Sequence, residues 1–158
     1  REDSQASGKI INEAKWLERL NKISIGPRFL FSGENYLVYE FVEGEEIINF
    51  IEKSWLNVIK KVLIDVLKQC FEMDCLKVNK EEMHHPIKHI LVNKLNIPIM
   101  IDFERCSYSE KPKNVTQFAQ SLNRLGVDID NDKMVKALKK YKENYNENSF
   151  KEILKLVQ

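Results

Sequence analysis

The chain has 158 residues, of which 43% are hydrophobic and 31% are charged, and this balance is typical of a globular domain with a hydrophobic core. Its formal net charge of +1 argues against nucleic acid or an anionic membrane surface as the main partner of the whole molecule. The longest apolar runs are far shorter than the ~20 residues of a membrane-spanning helix, so no membrane partner is expected. The three cysteines lack the spacing of zinc ligands and predict reduced thiols in a cytoplasmic protein.

The first part of the chain predicts a helix followed by two strands. Apolar residues recur at helical spacing over 8–21, and an Ile-Gly-Pro sequence at 25–27 then ends the helix. Strands rich in aromatic and branched side chains are predicted over 28–32 and 36–42. The Gly-Glu-Asn sequence between them is a favourable hairpin turn.

The rest of the chain predicts mainly helices with one further hairpin. Helical stretches are expected over 45–53 and 54–76, and the second of these has a broad apolar face. A polar, histidine-containing stretch over 80–89 leads into two short apolar runs at 90–92 and 98–102, which predict a hairpin. The final helices are predicted near 115–125, 132–143 and 149–157.

Strands segregated from helices predict an α+β architecture rather than a doubly wound sheet. The second predicted strand ends at Gly44, and helices dominate after it. The boundary between two lobes is therefore predicted there, with one unit over 1–43 and the other over 44–158.

The most informative segment is the histidine-containing loop over 83–92, followed by Ile-Asp-Phe-Glu at 101–104. A tight hairpin brings its two ends side by side, so the side chains of His89 and Asp102 are predicted to meet. Oxygen ligands suit magnesium, and Asp102 is therefore the first candidate for holding a metal ion.

These motifs resemble those of a family of archaeal serine/threonine protein kinases related to the RIO kinases. The hallmarks of that family are a Pro-x-Lys-His-Ile loop and an Ile-Asp-Phe-Glu motif, which stand here at 86–90 and 101–104. The sequence Asn-Val-Thr-Gln at 114–117 fits the same family, and the resemblance extends to about Leu125. It implies a protein-kinase-like fold with a partial N-lobe, made of a helix and a strand hairpin, and a mainly helical C-lobe.

The resemblance also implies roles for individual residues. Asp102 and His89 would bind the metal ion and the phosphates of ATP, as the aspartate and asparagine of kinases do. Glu13 would pair with the lysine that contacts the nucleotide. The backbone of Glu40, Phe41 and Val42 would meet the adenine as the hinge does.

The chain departs from the kinase pattern in the catalytic loop. His84 stands where the aspartate base is expected and Glu82 lies two residues before it, so both stay open as candidates for the base, with Lys88 as a further catalytic candidate. His89 replaces asparagine, and because imidazole is a poor ligand for magnesium, it would bind a phosphate or suit manganese instead. Glu104 replaces the glycine that follows Asp-Phe.

The glycine-rich loop and the strand lysine of kinases are not found in the sequence, which predicts that the N-terminal strands are missing from this chain. Two functions stay open. The first is an ATP-dependent, RIO-like serine/threonine protein kinase or ATPase that uses Mg²⁺ or Mn²⁺ and acts on an unknown protein substrate. The alternative is a catalytically impaired pseudokinase that binds nucleotide or other macromolecules.

A basic run near the C-terminus comprises five lysines, Lys133, Lys136, Lys139, Lys140 and Lys142. A run of this kind is typical of the solvated face of an amphipathic helix. A contact with RNA phosphates, as in a ribosomal partner, is the alternative interpretation.

Overall fold

The computed structural model of the chain describes residues 4–81, 83 and 85–158, and these form helices and short antiparallel strands. The helices are α1 (Ser4–Asn21), α2 (Ile47–Lys53), α3 (Leu56–Cys75), α4 (Asn114–Ser121), α5 (Asn131–Asn144) and α6 (Glu147–Val157). The strands are β1 (Phe29–Ser32), β2 (Leu37–Tyr39), β3 (Gly44–Glu46), β4 (Val78–Lys80), β5 (Ile90–Asn93), β6 (Pro98–Met100) and β7 (Cys106–Tyr108). Short 3₁₀ turns occur at Pro86–Lys88 and Leu122–Leu125.

The strands form small antiparallel sheets within the part of the chain that the structure describes. β1 pairs with β2, β4 pairs with β7, and β5 lies between β3 and β6. Small antiparallel sheets packed with helices confirm the predicted α+β class. The predicted division into units 1–43 and 44–158 stays a prediction.

The long helix α3 supplies much of the hydrophobic core because one of its faces is apolar. The residues buried along it recur at spacings of three and four: Ile59, Val62, Leu63, Val66, Leu67 and Cys70. Helices α4 and α6 pack against α3, and the ring of Phe71 stacks on that of Phe150 in α6 with centroids 4.4 Å apart. Each large apolar side chain that is fully buried contributes about 1.5–3 kcal/mol. None of the described helices is both long and apolar enough to cross a membrane.

Several strands differ from the sequence-based expectations. The expectation of a helix from residue 45 is wrong, because Gly44–Glu46 forms β3 and pairs with β5 before the helix begins at Ile47. Strands β4 and β7 lie where the sequence predicts none. Each of these strands pairs with a segment distant in sequence, so its own residues carry little signal of the pairing.

The expectation of unpaired cysteines is confirmed. Cys70 and Cys106 are buried and Cys75 is exposed, and all three are free thiols. Burial raises the pKa of the Cys106 thiol to about 12. This thiol therefore stays protonated and does not act as a nucleophile at neutral pH.

A buried carboxylate at the end of α3 holds the C-terminal helices together. The carboxylate of Asp74, which is 2% exposed, accepts hydrogen bonds from the backbone N–H groups of Asn114 (3.1 Å) and Val115 (3.4 Å). It also accepts bonds from the side-chain amide of Asn114 (2.7 Å) and from the hydroxyl of Tyr141 (2.8 Å). The free N–H groups at the start of α4 are thus bonded by a residue of another helix, where the helix dipole also favours a negative charge.

The same buried cluster positions strand β4. The side-chain amide of Asn114 donates to the carbonyl of Val78 (2.6 Å), and its oxygen accepts from the backbone N–H of Lys80 (2.8 Å). Asn114 therefore joins β4 to α4 and, through Asp74, to α3. We refer to Asp74, Asn114 and Tyr141 as the Asp74 cluster.

The first helix and the first hairpin are joined by a turn that packs tightly against Phe103. The side chain of Asn21 accepts from the N–H of Phe29 (2.6 Å) and donates to the carbonyls of Ile25 and Pro27 (3.0 Å each). Gly26 in this turn has a φ of +83°, and a Cβ atom added there would lie 2.9 Å from the Phe103 ring and 2.7 Å from Leu17. Only glycine meets both conditions without strain.

We predict that Asp74 makes the protein less stable as the pH rises from 4 to 7. Burial raises the pKa of the Asp74 carboxyl from 3.8 to about 6, against the opposing effect of the hydrogen bonds from Tyr141 and Asn114. Between these values the folded state holds a proton that the unfolded state releases, so the stabilisation is complete below pH 4 and is lost as the pH passes 6. The free energy of unfolding of the wild type, relative to Asp74→Asn, should fall by about 3 kcal/mol across this range in urea titrations.

Asp65→Asn makes the same chemical change on the same helix at a partly exposed carboxylate that pairs with Lys68. The assignment to Asp74 would be contradicted if the free energy of unfolding of the wild type, relative to that of Asp74→Asn, stayed constant from pH 4 to 7. It would also be contradicted if the wild type lost as much stability relative to Asp65→Asn as relative to Asp74→Asn.

We predict that Gly26→Ala destabilises the fold more than Gly126→Ala does. Both glycines have a φ of +83°, but a Cβ at Gly126 has no atom within 4 Å. Gly126→Ala should therefore cost only the backbone strain of about 1–2 kcal/mol. Gly26→Ala adds the clash with Leu17 and Phe103, for roughly 1–3 kcal/mol more. Equal midpoints of urea unfolding for the two variants would show that the turn has room for a methyl group.

Candidate functional site

The β5–β6 hairpin brings His89 and Asp102 together. Its register pairs Ile90 with Met100, and the N–H of Ile101 donates to the carbonyl of His89 (2.9 Å) just beyond the strands. The Nδ1 atom of His89 lies 3.2 Å from the Oδ2 atom of Asp102. The predicted meeting of these two side chains is therefore present in the structure. The Asp102 side chain is 43% exposed, so its carboxylate is open to solvent.

The backbone of Asp102 has an uncommon conformation that two neighbouring side chains contact. Its φ is +64°, in the left-handed region that residues with a side chain adopt rarely, although aspartate tolerates it better than most. The ammonium of Lys80 donates to the carbonyl oxygen of Asp102. The next N–H along the chain, that of Phe103, donates to the carboxylate of Glu13 (3.2 Å). Contacts on both sides of the residue therefore support this conformation.

Helix α1 contacts the segment after Asp102 along its length. The side-chain amide of Asn12 donates to the carbonyls of Glu104 (2.8 Å) and Cys106 (3.0 Å). Lys9 pairs with the carboxylate of Glu104 at 3.3 Å. Glu104, which stands where the kinase motif has a glycine, therefore forms an ion pair with α1.

Glu13 lies half-buried among other charged groups of this site. Burial raises the pKa of its carboxyl, and the hydrogen bond from the Phe103 N–H opposes the increase. The carboxylates of Asp102 and Glu104 raise this pKa further, while Lys80 lowers it. The structure thus places the predicted residues Glu13, His89 and Asp102 around one point.

Lys80 belongs to the same site, although no motif in the sequence points to it. It ends β4, is 2% exposed, and its ammonium lies 5.2 Å from the centre of the Phe103 ring. Lysine is almost never fully buried unless it is paired. The sequence signal is slight: Val78 and Lys80 share one face of a three-residue strand, so a charged residue alternates with a core residue.

The predicted hinge residues line a cleft on the neighbouring part of the molecule. This cleft of about 390 Å³ lies between the turn at 26–28, the irregular segment at 40–43 and the β5–β6 turn, and Ile99 also lines it. Phe41 is 86% exposed beside it. Glu40 pairs with Arg28 at 3.1 Å, and its N–H donates to the Arg28 carbonyl (2.8 Å).

Tyr39 lies within electrostatic range of the carboxylates of Glu13 and Asp102. Burial raises the pKa of its hydroxyl, and the charges of Glu13 and Asp102 raise it further, because they disfavour a nearby phenolate. Tyr39 directly precedes the hinge segment in sequence. The cleft and the Asp102 carboxylate are therefore neighbouring features of one region.

Three predicted catalytic residues remain. Glu82 and His84, the two candidates for the base, lie outside the described residues. Lys88 is exposed at the end of the Pro86–Lys88 turn, directly before His89.

The chemistry of these donors fits a divalent ion that a nucleotide would share. Within residues 4–81, 83 and 85–158, no group of three or more His, Cys, Asp or Glu side chains forms a ready metal site. Magnesium in nucleotide sites is commonly held by one or two carboxylates together with phosphate oxygens, so an exposed Asp102 is sufficient on the protein side. An imidazole next to this carboxylate suits Mn²⁺ better than Mg²⁺.

Two lysines of the basic run form ion pairs. Lys133 pairs with Asp130 at 3.1 Å, and Lys140 of α5 pairs with Glu152 of α6. These ion pairs fit the solvated helix face better than a surface reserved for RNA phosphates. A ribosomal or RNA partner stays a prediction.

The chain is distantly similar to a known archaeal protein. No family model matches the chain. Over 115 residues the chain is 27% identical to an uncharacterized protein of Methanocaldococcus jannaschii, MJ1211. The match covers 65% of this chain and 97% of that protein. The resemblance to RIO-related kinases therefore stays a prediction.

We predict that Glu13 stabilises the site through its acceptor oxygen. Glu13→Gln keeps an oxygen for the Phe103 N–H, whereas Glu13→Ala leaves this N–H unpaired next to a ring that is 1% exposed. An unpaired buried donor costs about 1–3 kcal/mol, so the alanine variant should unfold at lower urea concentration than the glutamine variant by that amount. Glu18→Ala, at an exposed position of the same helix, controls for the helix propensity of alanine. Equal stability of Glu13→Ala and Glu13→Gln would show that the bond contributes nothing.

Proposed function

We propose that the protein binds ATP with a divalent metal ion and transfers the γ-phosphoryl group, as a RIO-like serine/threonine protein kinase or ATPase. The observation that carries the proposal is the convergence of Glu13, His89 and the exposed Asp102 beside a cleft lined by residues 40–43. In the kinase pattern, the same elements are a helix glutamate, a hairpin with a metal-binding aspartate, and a hinge.

Asp102 and His89 would orient the phosphates in this arrangement. The Asp102 carboxylate faces solvent and supplies the oxygen that a metal ion prefers. A divalent ion neutralises charge on the β- and γ-phosphates. His89 is 15% exposed, and its imidazole donates a hydrogen bond to a phosphate oxygen or shares in binding Mn²⁺.

The cleft next to the hinge segment is the candidate adenine site. It is lined by the irregular segment 40–43 together with apolar side chains such as Phe41, Val42 and Ile99, which fits the usual make-up of a small-molecule site. Leu91 and Ile99 are cross-strand partners on β5 and β6 and both are partly exposed, so this face of the hairpin offers apolar surface to a base.

The acceptor in such a reaction is a hydroxyl group of a protein or a water molecule. Its oxygen attacks the γ-phosphorus, the bond from this phosphorus to the bridging oxygen breaks, and ADP leaves. The proton of the hydroxyl passes to a base, for which Glu82 and His84 are the candidates.

A pseudokinase is the second candidate, and the His89–Asp102 pair favours it. Asp102 already has a partner 3.2 Å away at one of its two oxygens, so a metal ion must compete for this oxygen or use the other. A site of this kind can bind a metal–nucleotide complex weakly and without turnover. Release of radioactive phosphate, or its transfer to protein, from γ-labelled ATP would exclude this alternative.

We predict that ATP with Mn²⁺ or Mg²⁺ raises the melting temperature of the wild type and not that of Asp102→Asn. A ligand at about 100 times its Kd stabilises the folded state by about 2.7 kcal/mol, or roughly 5–10 °C for a protein of this size. Asparagine tolerates the left-handed backbone of residue 102, so this variant loses the negative charge but keeps the backbone conformation.

The matched control is Asp128→Asn, at an exposed aspartate in the loop before α5. It should show the full metal-dependent shift. A wild type that shows no shift with either metal ion, or an Asp102→Asn variant that keeps the whole shift, would refute a nucleotide site at this hairpin.

A further inference from the structure

Lys80 is a buried ammonium whose role the proposed reaction does not explain. Its side chain lies in the interior, 2% exposed, with the Phe103 ring 5.2 Å away and the Asp102 carbonyl as hydrogen-bond acceptor. Moving an ammonium out of water costs several kcal/mol, which only close and well-oriented partners offset. An apolar residue of the same length would avoid this cost, so stability alone does not account for a lysine at this position.

The backbone of Lys80 is fixed independently of its side chain. Its N–H donates to Asn114 of the Asp74 cluster, and β4 pairs it with Cys106 across the β4–β7 sheet. The ammonium therefore reaches from a fixed strand towards the segment that carries Asp102. A rigid base of this kind suits a residue that positions another.

Asp102 needs such support because its backbone conformation is uncommon. A residue with a side chain at a φ of +64° persists when its surroundings determine it. Two of its polar neighbours act on the backbone, with Glu13 bonding the Phe103 N–H on one side and Lys80 bonding the Asp102 carbonyl on the other. The third, His89, acts on the carboxylate itself.

We infer that Lys80 is a positioning residue that holds Asp102 in the left-handed conformation in which its carboxylate meets His89 at the solvent-exposed end of the hairpin. Lys80 does so through its hydrogen bond to the Asp102 carbonyl. The effect on conformation stands on the geometry alone. Its consequence for metal–nucleotide binding rests on the proposed function.

The two possible roles of Lys80, as a positioning residue and as a nearby positive charge, predict opposite changes in metal affinity when the ammonium is removed. If Lys80 acted only as a nearby positive charge, its removal would make the site more negative and strengthen metal binding. If it positions Asp102, its removal disorders the metal ligand and weakens metal binding. Changing a residue that orients a metal ligand typically costs 10- to 100-fold in affinity.

The first test measures conformation without any ligand. Lys80→Met keeps the length of the side chain and removes the ammonium, and replacing a buried ion with an apolar residue is often neutral for stability. Lys77→Met is the matched control, because Lys77 also donates to a main-chain carbonyl, that of Glu110, but at an exposed site. Hydrogen exchange of the Phe103 amide, followed by NMR, should be at least roughly tenfold faster in Lys80→Met than in wild type or Lys77→Met, since this amide pairs with Glu13 only while Asp102 keeps its conformation.

Either of two results would overturn the positioning role. One is a crystal structure of Lys80→Met in which φ of residue 102 stays positive with Phe103 still bonded to Glu13. The other result comes from an NMR measurement on the wild type. It needs no variant, so it can be obtained even if Lys80→Met fails to fold. A buried and bonded Lys80 ammonium should exchange its protons with water far more slowly than that of Lys77, and equal rates would contradict the inference.

The second test measures binding of Mn²⁺ with ATP by titration calorimetry. Lys80→Met should bind roughly 10- to 100-fold more weakly than wild type, while Lys77→Met should match wild type. Lys80→Arg, which keeps a charged donor, should recover part of the affinity. Equal or tighter binding by Lys80→Met would refute positioning in favour of a simple charge effect. A wild type that binds no metal–nucleotide complex would refute the proposed function, and the conformational test would still decide the role of Lys80.

Discussion

The hydrogen bonds that the Asp74 carboxylate accepts are the interaction on which the rest of the structure depends. A charged group with almost no exposure is tolerated only when donors surround it, and here the donors come from two other helices and include the first N–H groups of α4. Because Asn114 is one of those donors and also bonds both Val78 and Lys80, the position of strand β4 follows from the same cluster. The position of the Lys80 ammonium, and with it the carbonyl of Asp102, follows from β4. A single buried carboxylate thus connects the packing of the C-terminal helices to the backbone of the candidate site.

The segment from Asp102 to Cys106 is held from two sides that the chain builds separately. From one side α1 supplies Glu13 and Asn12, and the turn containing Gly26 packs on the Phe103 ring. From the other side β4 supplies Lys80 and pairs with β7. Polar contacts and close packing on both sides allow an aspartate to remain in an uncommon backbone conformation with its carboxylate exposed. Strain of this kind is frequent where a side chain must be presented to a ligand.

Local patterns predicted the parts of this protein that are held by local interactions. The apolar periodicity of α1 and α3 and the turn of the first hairpin are contained within their own residues, and the register of the second hairpin is enough to bring His89 to Asp102. Strand β3 was not predicted because Gly44 reads as the end of the preceding strand and Glu45 as the start of a helix, and only the pairing with β5 makes Gly44–Glu46 a strand. Lys80 was not predicted because lysine is usually exposed, and its burial depends on an asparagine and an aspartate that are distant in sequence. The meeting of His89 and Asp102 is thus predictable because one hairpin builds it, whereas the position of Lys80 depends on elements distant in sequence.

The source of positive charge at this site differs from the one that the resemblance to kinases implies. In that pattern a strand lysine pairs with the helix glutamate and contacts the phosphates. Here the Glu13 carboxylate bonds the Phe103 N–H and is near the ammonium of Lys80, which approaches from the core and is buried beneath the Phe103 ring. Lys80 therefore offsets the charge of Glu13 and Asp102 without being exposed to a phosphate. Under the proposed function, nucleotide affinity at the described residues comes from the cleft lined by residues 40–43 and from a metal ion on Asp102. Binding should then depend more steeply on the metal than in a kinase whose lysine contacts the phosphates directly.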